Sequence, residues 1–182
     1  MKILVFTEGT VLIHKSWVGI PREEIVRQVK GVFSLPREEV EKLVRNGSVP
    51  WLEDWAGFVP HGDSVKKIGS WKKQGATIVY LTSRTKPEEV QTIREVLRKY
   101  HFPQGELLSR EPDEEYKDVA ERVIPDIIVE DDCESIGGEE EMTYPRIRPE
   151  LKARIKSVVV KDSEGIDHLP DDISRLLAYS RF

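Results

Sequence analysis

The sequence predicts an α/β protein built on a three-layer, doubly wound, mainly parallel sheet, with a small helical insertion. Two observations carry this prediction. Short continuous apolar runs recur along the chain, and such runs are typical of strands that are buried on both faces of a parallel sheet. Stretches with helical periodicity lie between these runs, and this alternation favours right-handed strand-helix-strand crossovers. The 182 residues suffice for one domain with a substantial core.

The predicted strands are short β-branched or apolar segments bounded by polar residues. The four clearest are residues 3–6, 77–81, 127–129 and 157–160. A weaker strand is predicted at 106–108, where it would connect two helical segments.

Helices are predicted from apolar spacing together with capping and proline signals. Asp63 is expected to cap a helix at 64–74, and Asp113 one at 114–123. Lys86 and Pro87 are expected to open a helix at 88–100. Shorter helices are predicted at 150–155 and at 171–179.

The interval 14–60 interrupts the strand-helix alternation. It carries two helical patterns, at 22–32 and 36–45, and each has a proline near its first turn. We therefore expect residues 14–60 to form a small helical cap, and residues 1–13 together with 61–182 to form the α/β core. Because large aromatic residues tend to be buried, Trp17, Trp51 and Trp55 are expected to pack the insertion onto the core.

Composition argues against several classes of partner. A net charge of -5 provides no basic footprint for nucleic acid or for an anionic membrane. The single cysteine, Cys133, suits a reducing compartment. The first apolar stretch soon reaches Glu8 and Gly9, so we expect no signal sequence. The expectation is a cytoplasmic protein without a nucleic-acid or membrane partner, and its oligomeric state is left open.

Polar residues follow the predicted strands, where open parallel sheets bind ligands. They are Thr7, Glu8, Gly9 and Thr10 after the first strand; Thr82, Ser83 and Arg84 after the second; Lys117 in the helix before the third; and Glu130, Asp131 and Asp132 after the third. Hydroxyls, amides near a helix start and an ammonium group suit a phosphate, and carboxylates suit a hard cation.

In order and type, these segments resemble the four successive motifs of the haloacid dehalogenase (HAD) superfamily. The family's first motif is Asp-x-Asp-Gly-Thr, and its helical cap lies where residues 14–60 lie here. The resemblance spans nearly the whole chain. It implies a Rossmann-like phosphatase fold, a phosphorylated small molecule as ligand and Mg²⁺ as cofactor.

The resemblance also implies roles for individual residues. Thr10, Thr82, Ser83 and Arg84 would contact the ligand, with the Thr82 hydroxyl on the phosphoryl group. Lys117 would neutralise charge on the phosphoryl oxygens and on the nucleophile. Magnesium would be held by the acidic group that consists of Glu130, Asp131 and Asp132.

The first motif departs from the family pattern. Aligned on Gly9 and Thr10, the nucleophile position holds Phe6, and the acid/base position holds Glu8. A one-residue deletion would place Thr7 at the nucleophile position instead. A phenyl ring cannot attack phosphorus, and a threonine needs an adjacent base. The missing carboxylate also removes a magnesium ligand, so metal affinity is expected to be weakened.

Three functional hypotheses follow. The leading one is a pseudoenzyme that binds a phosphorylated small molecule or an inorganic anion without aspartyl-phosphate chemistry. The second is an active Mg²⁺-dependent phosphohydrolase that uses Glu8 or a water activated at the acidic group. The third is a non-catalytic protein-interaction module. Each site segment also has a structural interpretation: Ser83 or Thr85 as a helix cap, and the acids as a solvated turn.

Overall fold

The computed structural model describes residues 1–180. Its strands are β1 (Lys2–Phe6), β2 (Leu12–His14), β3 (Phe58–Pro60), β4 (Thr77–Leu81), β5 (Glu106–Leu108), β6 (Ile127–Asp131) and β7 (Lys156–Val160). Its α-helices are α1 (Arg22–Phe33), α2 (Arg37–Arg45), α3 (Ser64–Lys73), α4 (Pro87–Lys99), α5 (Tyr116–Val123), α6 (Pro149–Lys152) and α7 (Ile173–Ala178).

Five of the strands form one parallel sheet in the order β5-β4-β1-β6-β7. The central strand is β1, in which Ile3 pairs with Ile78 on one side and with Ile127 on the other. With helices packed on both faces, this sheet confirms the predicted α/β fold class. The arrangement brings the carboxyl ends of β1, β4 and β6 side by side.

The two faces of the sheet bury different residues because side chains alternate along a strand. Ile3 and Val5 face a core that includes residues of α3, α4 and α7. Leu4 faces the other way, toward Val119 and Ala120 of α5. All three β1 side chains are fully buried, which explains why the strand reads as a continuous apolar run.

The observed helix starts correct two predicted caps. Asp63 precedes α3, but its side chain makes no capping hydrogen bond. Asp113 does not cap α5, which begins later than predicted, with Glu115 as its N-cap. There Asp118 accepts a 2.8 Å hydrogen bond from the Glu115 backbone N–H, which has no carbonyl acceptor within the helix. Within residues 1–180, no helix combines the length and apolar character needed to span a membrane.

Residues 14–60 leave and rejoin the rest of the chain through an antiparallel ribbon of β2 and β3, in which Ile13 pairs with Val59. This ribbon was not predicted. Between them, α1 and α2 lie close to their predicted positions. The segment packs around an apolar cluster that it shares with Ile13 of β2 and whose other buried members are Ile25, Val29, Val49 and Trp51.

Candidate functional site

A cavity of about 540 Å³ lies between the carboxyl edge of the sheet and the 14–60 segment. From the predicted site, the structure brings together Phe6, Glu8, Ser83, Arg84, Lys117, Glu130 and Asp131 along its lining. The 14–60 segment contributes an aromatic wall of Trp17, Phe33, Trp51, Trp55 and Phe58. Thr7, Thr10 and Thr82 were predicted for the site but are fully buried outside this lining. Asp132 was also predicted for the site but lines a different cleft, beside β7.

Neither residue at the nucleophile position presents a nucleophile to the cavity. The Phe6 ring lines the cavity and packs edge-on against Tyr116, with the ring centroids 5.5 Å apart. Thr7 is fully buried, and its hydroxyl lies 2.5 Å from Glu8 Oε2 and 3.2 Å from the Leu81 carbonyl oxygen.

The Glu8 carboxylate binds the groups that were expected to hold a phosphoryl group. Its Oε1 accepts a 2.6 Å hydrogen bond from the Thr82 hydroxyl, and its Oε2 accepts one of 3.1 Å from the Ser83 backbone N–H. Arg84 Nε lies 3.7 Å from Oε1. Because β1 and β4 are neighbours, a glutamate at the end of β1 reaches across to the end of β4.

Arg84 connects the core to the 14–60 segment. Its guanidinium carbon lies 4.0 Å from the centre of the Trp55 ring, which is the geometry of a cation–π contact. Its side chain also donates to Ser83 Oγ, at 3.1 Å from Nε. The N-cap of α4 is Lys86, without a side-chain hydrogen bond, so neither Ser83 nor Thr85 serves as its cap.

A basic wall, defined as Arg110, Lys117 and Arg146, lines one side of the cavity. Glu115 joins two of its members, with Lys117 Nζ 2.9 Å from Oε2 and an Arg146 nitrogen 3.1 Å from Oε1. The hydrogen bond from Lys117 and the charge of Arg146 lower the pKa of Glu115. The hydrogen bond to Glu115 and its negative charge raise the pKa of Lys117. Glu115 therefore holds Lys117 beside the cavity while partly neutralising its charge.

Arg110 was missed by the sequence reasoning because it lies in a loop without a motif. Its guanidinium carbon lies 4.2 Å from the centre of the Tyr116 ring. Within residues 1–180, no carboxylate forms an ion pair with Arg110, and its buried Nε has no hydrogen-bond acceptor. No spacing signal in the sequence could have identified this side chain.

Asp131 lies next to the first motif. Its Oδ2 accepts a 2.9 Å hydrogen bond from the Thr10 hydroxyl, and its Oδ1 accepts one of 3.0 Å from the Cys133 backbone N–H. Burial, followed by the nearby Asp162 carboxylate, raises the pKa of Asp131 to about 7. Burial and these carboxylates also raise the pKa of the Cys133 thiol, so the thiol is not activated.

The other two predicted metal ligands use their oxygens elsewhere. Glu130 accepts hydrogen bonds of 2.8 Å and 3.0 Å from the backbone N–H groups of Thr143 and Tyr144. Its burial raises its pKa. Asp132 Oδ1 accepts from the Glu134 and Asp162 backbone N–H groups. Both side chains thus organise the loops that follow β6 and β7.

The acidic group does not form a magnesium cluster. In residues 1–180, no group of three or more His, Cys, Asp or Glu side chains is placed to hold a metal ion. Adjacent strand residues point to opposite faces, so Glu130 and Asp131 diverge. Within the predicted set, Asp131 is the acid that combines a cavity position with a contact to the first motif. The residues present therefore do not fit the magnesium site that the resemblance implies.

Comparison with known proteins establishes the fold through structure alone. No family model and no curated protein matches the sequence. The chain is similar to the class C acid phosphatase from Bacillus anthracis with tungstate bound, with a TM-score of 0.52 and 13% identity. That alignment covers 90% of this chain and 68% of the phosphatase chain.

Two further structures give weaker alignments. A haloacid dehalogenase-like hydrolase from Streptococcus pneumoniae has a TM-score of 0.49 and 12% identity, over 88% of this chain and 93% of its own. A HAD family hydrolase from Deinococcus radiodurans with bound phosphate and sodium has a TM-score of 0.48 and 10% identity, over 96% of this chain and 87% of its own. These scores are too low to add to the assignment, which is a HAD-like fold.

Proposed function

We propose that this HAD-fold protein binds a phosphorylated small molecule or another oxyanion in its cavity, without aspartyl-phosphate chemistry. One observation carries the proposal. Glu8 accepts hydrogen bonds from the Thr82 hydroxyl and the Ser83 N–H, so the chain's own carboxylate occupies groups that would hold a transferring phosphoryl group.

The chemistry of the nucleophile position supports this proposal. Phe6 offers only a hydrocarbon ring, and the Thr7 hydroxyl is buried and hydrogen-bonded. Covalent catalysis needs a nucleophile activated by a base and directed at the reacting atom. Glu8 would have to leave Thr82 and Ser83 to act as an acid or base. In this proposal Glu8 is a structural group, and Lys117 contributes charge.

The basic wall supports binding of an anion. Arg110, Lys117 and Arg146 face one acid, Glu115, so the wall carries more positive than negative charge. Charged hydrogen bonds from arginine and lysine suit phosphate and carboxylate groups. The acid phosphatase of similar fold has tungstate, an oxyanion, bound.

We propose further that residues 14–60 act as a cap on a core formed by residues 1–13 and 61–182. Two residues of the core contact the cap beside the cavity. Arg84 of the core stacks on Trp55 of the cap. Glu134 of the core forms ion pairs with Arg22 and Lys30 of α1, the latter at 3.1 Å.

The same proposal makes magnesium dispensable. Asp131 would be the main remaining ligand, and a pKa of about 7 leaves it partly protonated at neutral pH. A metal must displace that proton, which weakens binding. Any affinity for Mg²⁺ is therefore expected to be lower than in a site with two ionised carboxylates.

A second candidate is hydrolysis by a water that Asp131 activates directly. The pKa of about 7 is the observation that favours it, because a general base works best when its pKa lies near the working pH. Asp131 also lines the cavity. This mechanism would form no covalent intermediate and would not need residue 6.

Binding and turnover measurements distinguish these functions. Purified protein with Mg²⁺ is incubated with a panel of phosphate esters, and binding of inorganic phosphate is followed by calorimetry. We expect saturable binding without hydrolysis. Hydrolysis that Asp131→Ala abolishes, and the exposed control Asp113→Ala retains, would establish the second candidate. Absence of both binding and hydrolysis would favour a protein-interaction module.

A further inference from the structure

We infer that the ligand is an aromatic oxyanion whose anionic group binds Arg110 and whose ring lies against Trp17, Phe33 and Trp51. This inference rests on the proposed function and specifies its ligand class. It places the anion at the basic wall, away from the end of β4, where the HAD resemblance alone would place it.

Arg110 is the first support. Its guanidinium lies on the Tyr116 ring, and within residues 1–180 it has no carboxylate partner. Its Nε is buried without an acceptor, which costs free energy until an acceptor arrives. A planar guanidinium matches the two oxygens of a carboxylate or a phosphate. Because Arg110 lines the cavity and is not fully buried, an anion there can accept hydrogen bonds from the exposed part of its guanidinium.

Charge around the cavity directs an anion toward the same wall. At the end of β4, the Glu8 carboxylate already accepts from Thr82 and Ser83 and would repel a second anion. Asp131 and Asp162 also line the cavity and would repel an anion beside them. The anion is therefore expected at Arg110, with Lys117 as its neighbour.

The aromatic surface that faces the cavity is the second support. The Trp17 and Trp51 ring centroids lie 5.0 Å apart, and those of Phe33 and Trp51 lie 6.2 Å apart, so the three rings form one continuous cluster. The Phe33 side chain is 58% exposed although it lines the cavity. An exposed large aromatic beside an apolar wall is suited to cover a ligand's ring.

Trp55 is the third tryptophan of the cavity lining. Arg84 lies 4.0 Å from its ring centre, and Phe58 stacks on it with centroids 6.1 Å apart. Trp55 is therefore engaged by the protein itself. The remaining aromatic cluster, the basic wall and a cavity of about 540 Å³ together fit a molecule with one or two rings and one anionic group.

Calorimetry with three probes tests this inference on the full chain. The probes are 2-naphthyl phosphate, 2-naphthoate and inorganic phosphate. We expect 2-naphthyl phosphate to bind at least roughly tenfold more tightly than inorganic phosphate, because its ring buries apolar surface. Binding of 2-naphthoate at a similar affinity identifies the anion as a general oxyanion, and its failure to bind identifies a phosphate ester.

Variants locate the two halves of the ligand. Arg110→Gln is expected to weaken all probes that bind by roughly tenfold or more, as loss of a charged hydrogen bond does. Phe33→Ala is expected to weaken only the naphthyl probes. Arg94→Gln, an exposed arginine on α4, is the matched control and should change nothing. Arg110→Lys keeps the positive charge and should retain part of the affinity. Such partial binding would show that replacing Arg110 does not unfold the protein.

The outcomes separate this inference from the proposed function. If the wild-type protein binds inorganic phosphate but gains nothing from the naphthyl ring, or if Arg110→Gln binds as the wild type does, the inference is overturned and the proposed function stands. If none of the three probes binds, both are overturned. Thermal melts of every variant confirm that each comparison concerns folded protein.

Discussion

The Thr82 hydroxyl donates a 2.6 Å hydrogen bond to the Glu8 carboxylate and thereby joins the carboxyl ends of β4 and β1. The same carboxylate accepts from the Ser83 N–H and lies near Arg84. A glutamate is one methylene longer than the aspartate of the HAD pattern, and this extra length suits the span between strands. The pocket thus contains a carboxylate of the protein at the place where the HAD resemblance would put a phosphoryl group.

Removing this carboxylate should strengthen anion binding. In Glu8→Ala, the Thr82 hydroxyl and the Ser83 N–H become free, and one negative charge leaves the cavity. A charged hydrogen bond contributes about 1.5 kcal/mol, so we expect affinity for inorganic phosphate to rise roughly tenfold in calorimetry. Glu95→Ala, on the exposed face of α4, is the control. Unchanged or weaker phosphate binding in Glu8→Ala would contradict the interpretation that Glu8 blocks the Thr82 hydroxyl and the Ser83 N–H.

An aspartate placed at the predicted nucleophile position should not by itself produce catalysis. In Phe6→Asp, Glu8 still engages Thr82 and Ser83, so we expect no Mg²⁺-dependent hydrolysis of p-nitrophenyl phosphate above background. Shortening the second acid as well, in the double variant Phe6→Asp with Glu8→Asp, releases those groups and should give measurable turnover. Hydrolysis by Phe6→Asp alone would show that Glu8 readily releases the Thr82 hydroxyl and the Ser83 N–H.

Asp131 should make folding stability depend on pH. Its pKa is raised from 3.8 to about 7 on folding, so the ionised form is disfavoured in the native state. The contribution of Asp131 to the free energy of unfolding is therefore greatest below about pH 4 and is lost as the pH rises through 7. The upper limit of this loss is about 4 kcal/mol, and water in the cavity reduces it.

Denaturant unfolding of the wild type and of Asp131→Asn, between pH 4 and pH 8, measures this contribution. The variant cannot ionise, so the difference in stability between the two proteins should shift in favour of Asp131→Asn as the pH increases. Asp113→Asn, at an exposed position, controls for the general effect of losing an acid. A difference that stays constant with pH would show that Asp131 is already ionised in the folded protein at low pH.

Glu134 should hold the 14–60 segment against the loop after β6. It pairs with both Arg22 and Lys30 of α1 and is 43% exposed. In Glu134→Gln we expect a stability change below about 1 kcal/mol, because exposed ion pairs contribute little. Amide hydrogen exchange in α1 should nevertheless become faster, since local opening needs less free energy than global unfolding.

The matched control for that experiment is Glu41→Gln. Glu41 also pairs with two arginines, Arg37 at 2.9 Å and Arg45 at 3.8 Å, but all three residues belong to α2. Its loss should leave exchange in α1 unchanged. Equal exchange rates in α1 for Glu134→Gln and the wild type would show that Glu134 does not restrain the segment.

Sequence reasoning succeeded where one local pattern dominates. Strands β4 and β5 have the predicted bounds, because an apolar run bounded by polar residues has few alternatives. Helix starts were less predictable, since α5 uses Glu115 and Asp118 where Asp113 was expected to cap. The ribbon of β2 and β3 was not predicted, although β5, a strand of the same length, was.

The sequence by itself determined the parallel sheet and which residues reach its carboxyl edge, because apolar periodicity decides what is buried. It also predicted that the position aligned with the family's nucleophile lacks a carboxylate. Only the tertiary structure decided the partner of each polar group: Glu8 reaches Thr82, Glu130 turns to the Thr143 backbone, and Arg110 covers Tyr116. These contacts join residues distant in the chain, and they depend on side-chain reach and desolvation, which no local spacing encodes.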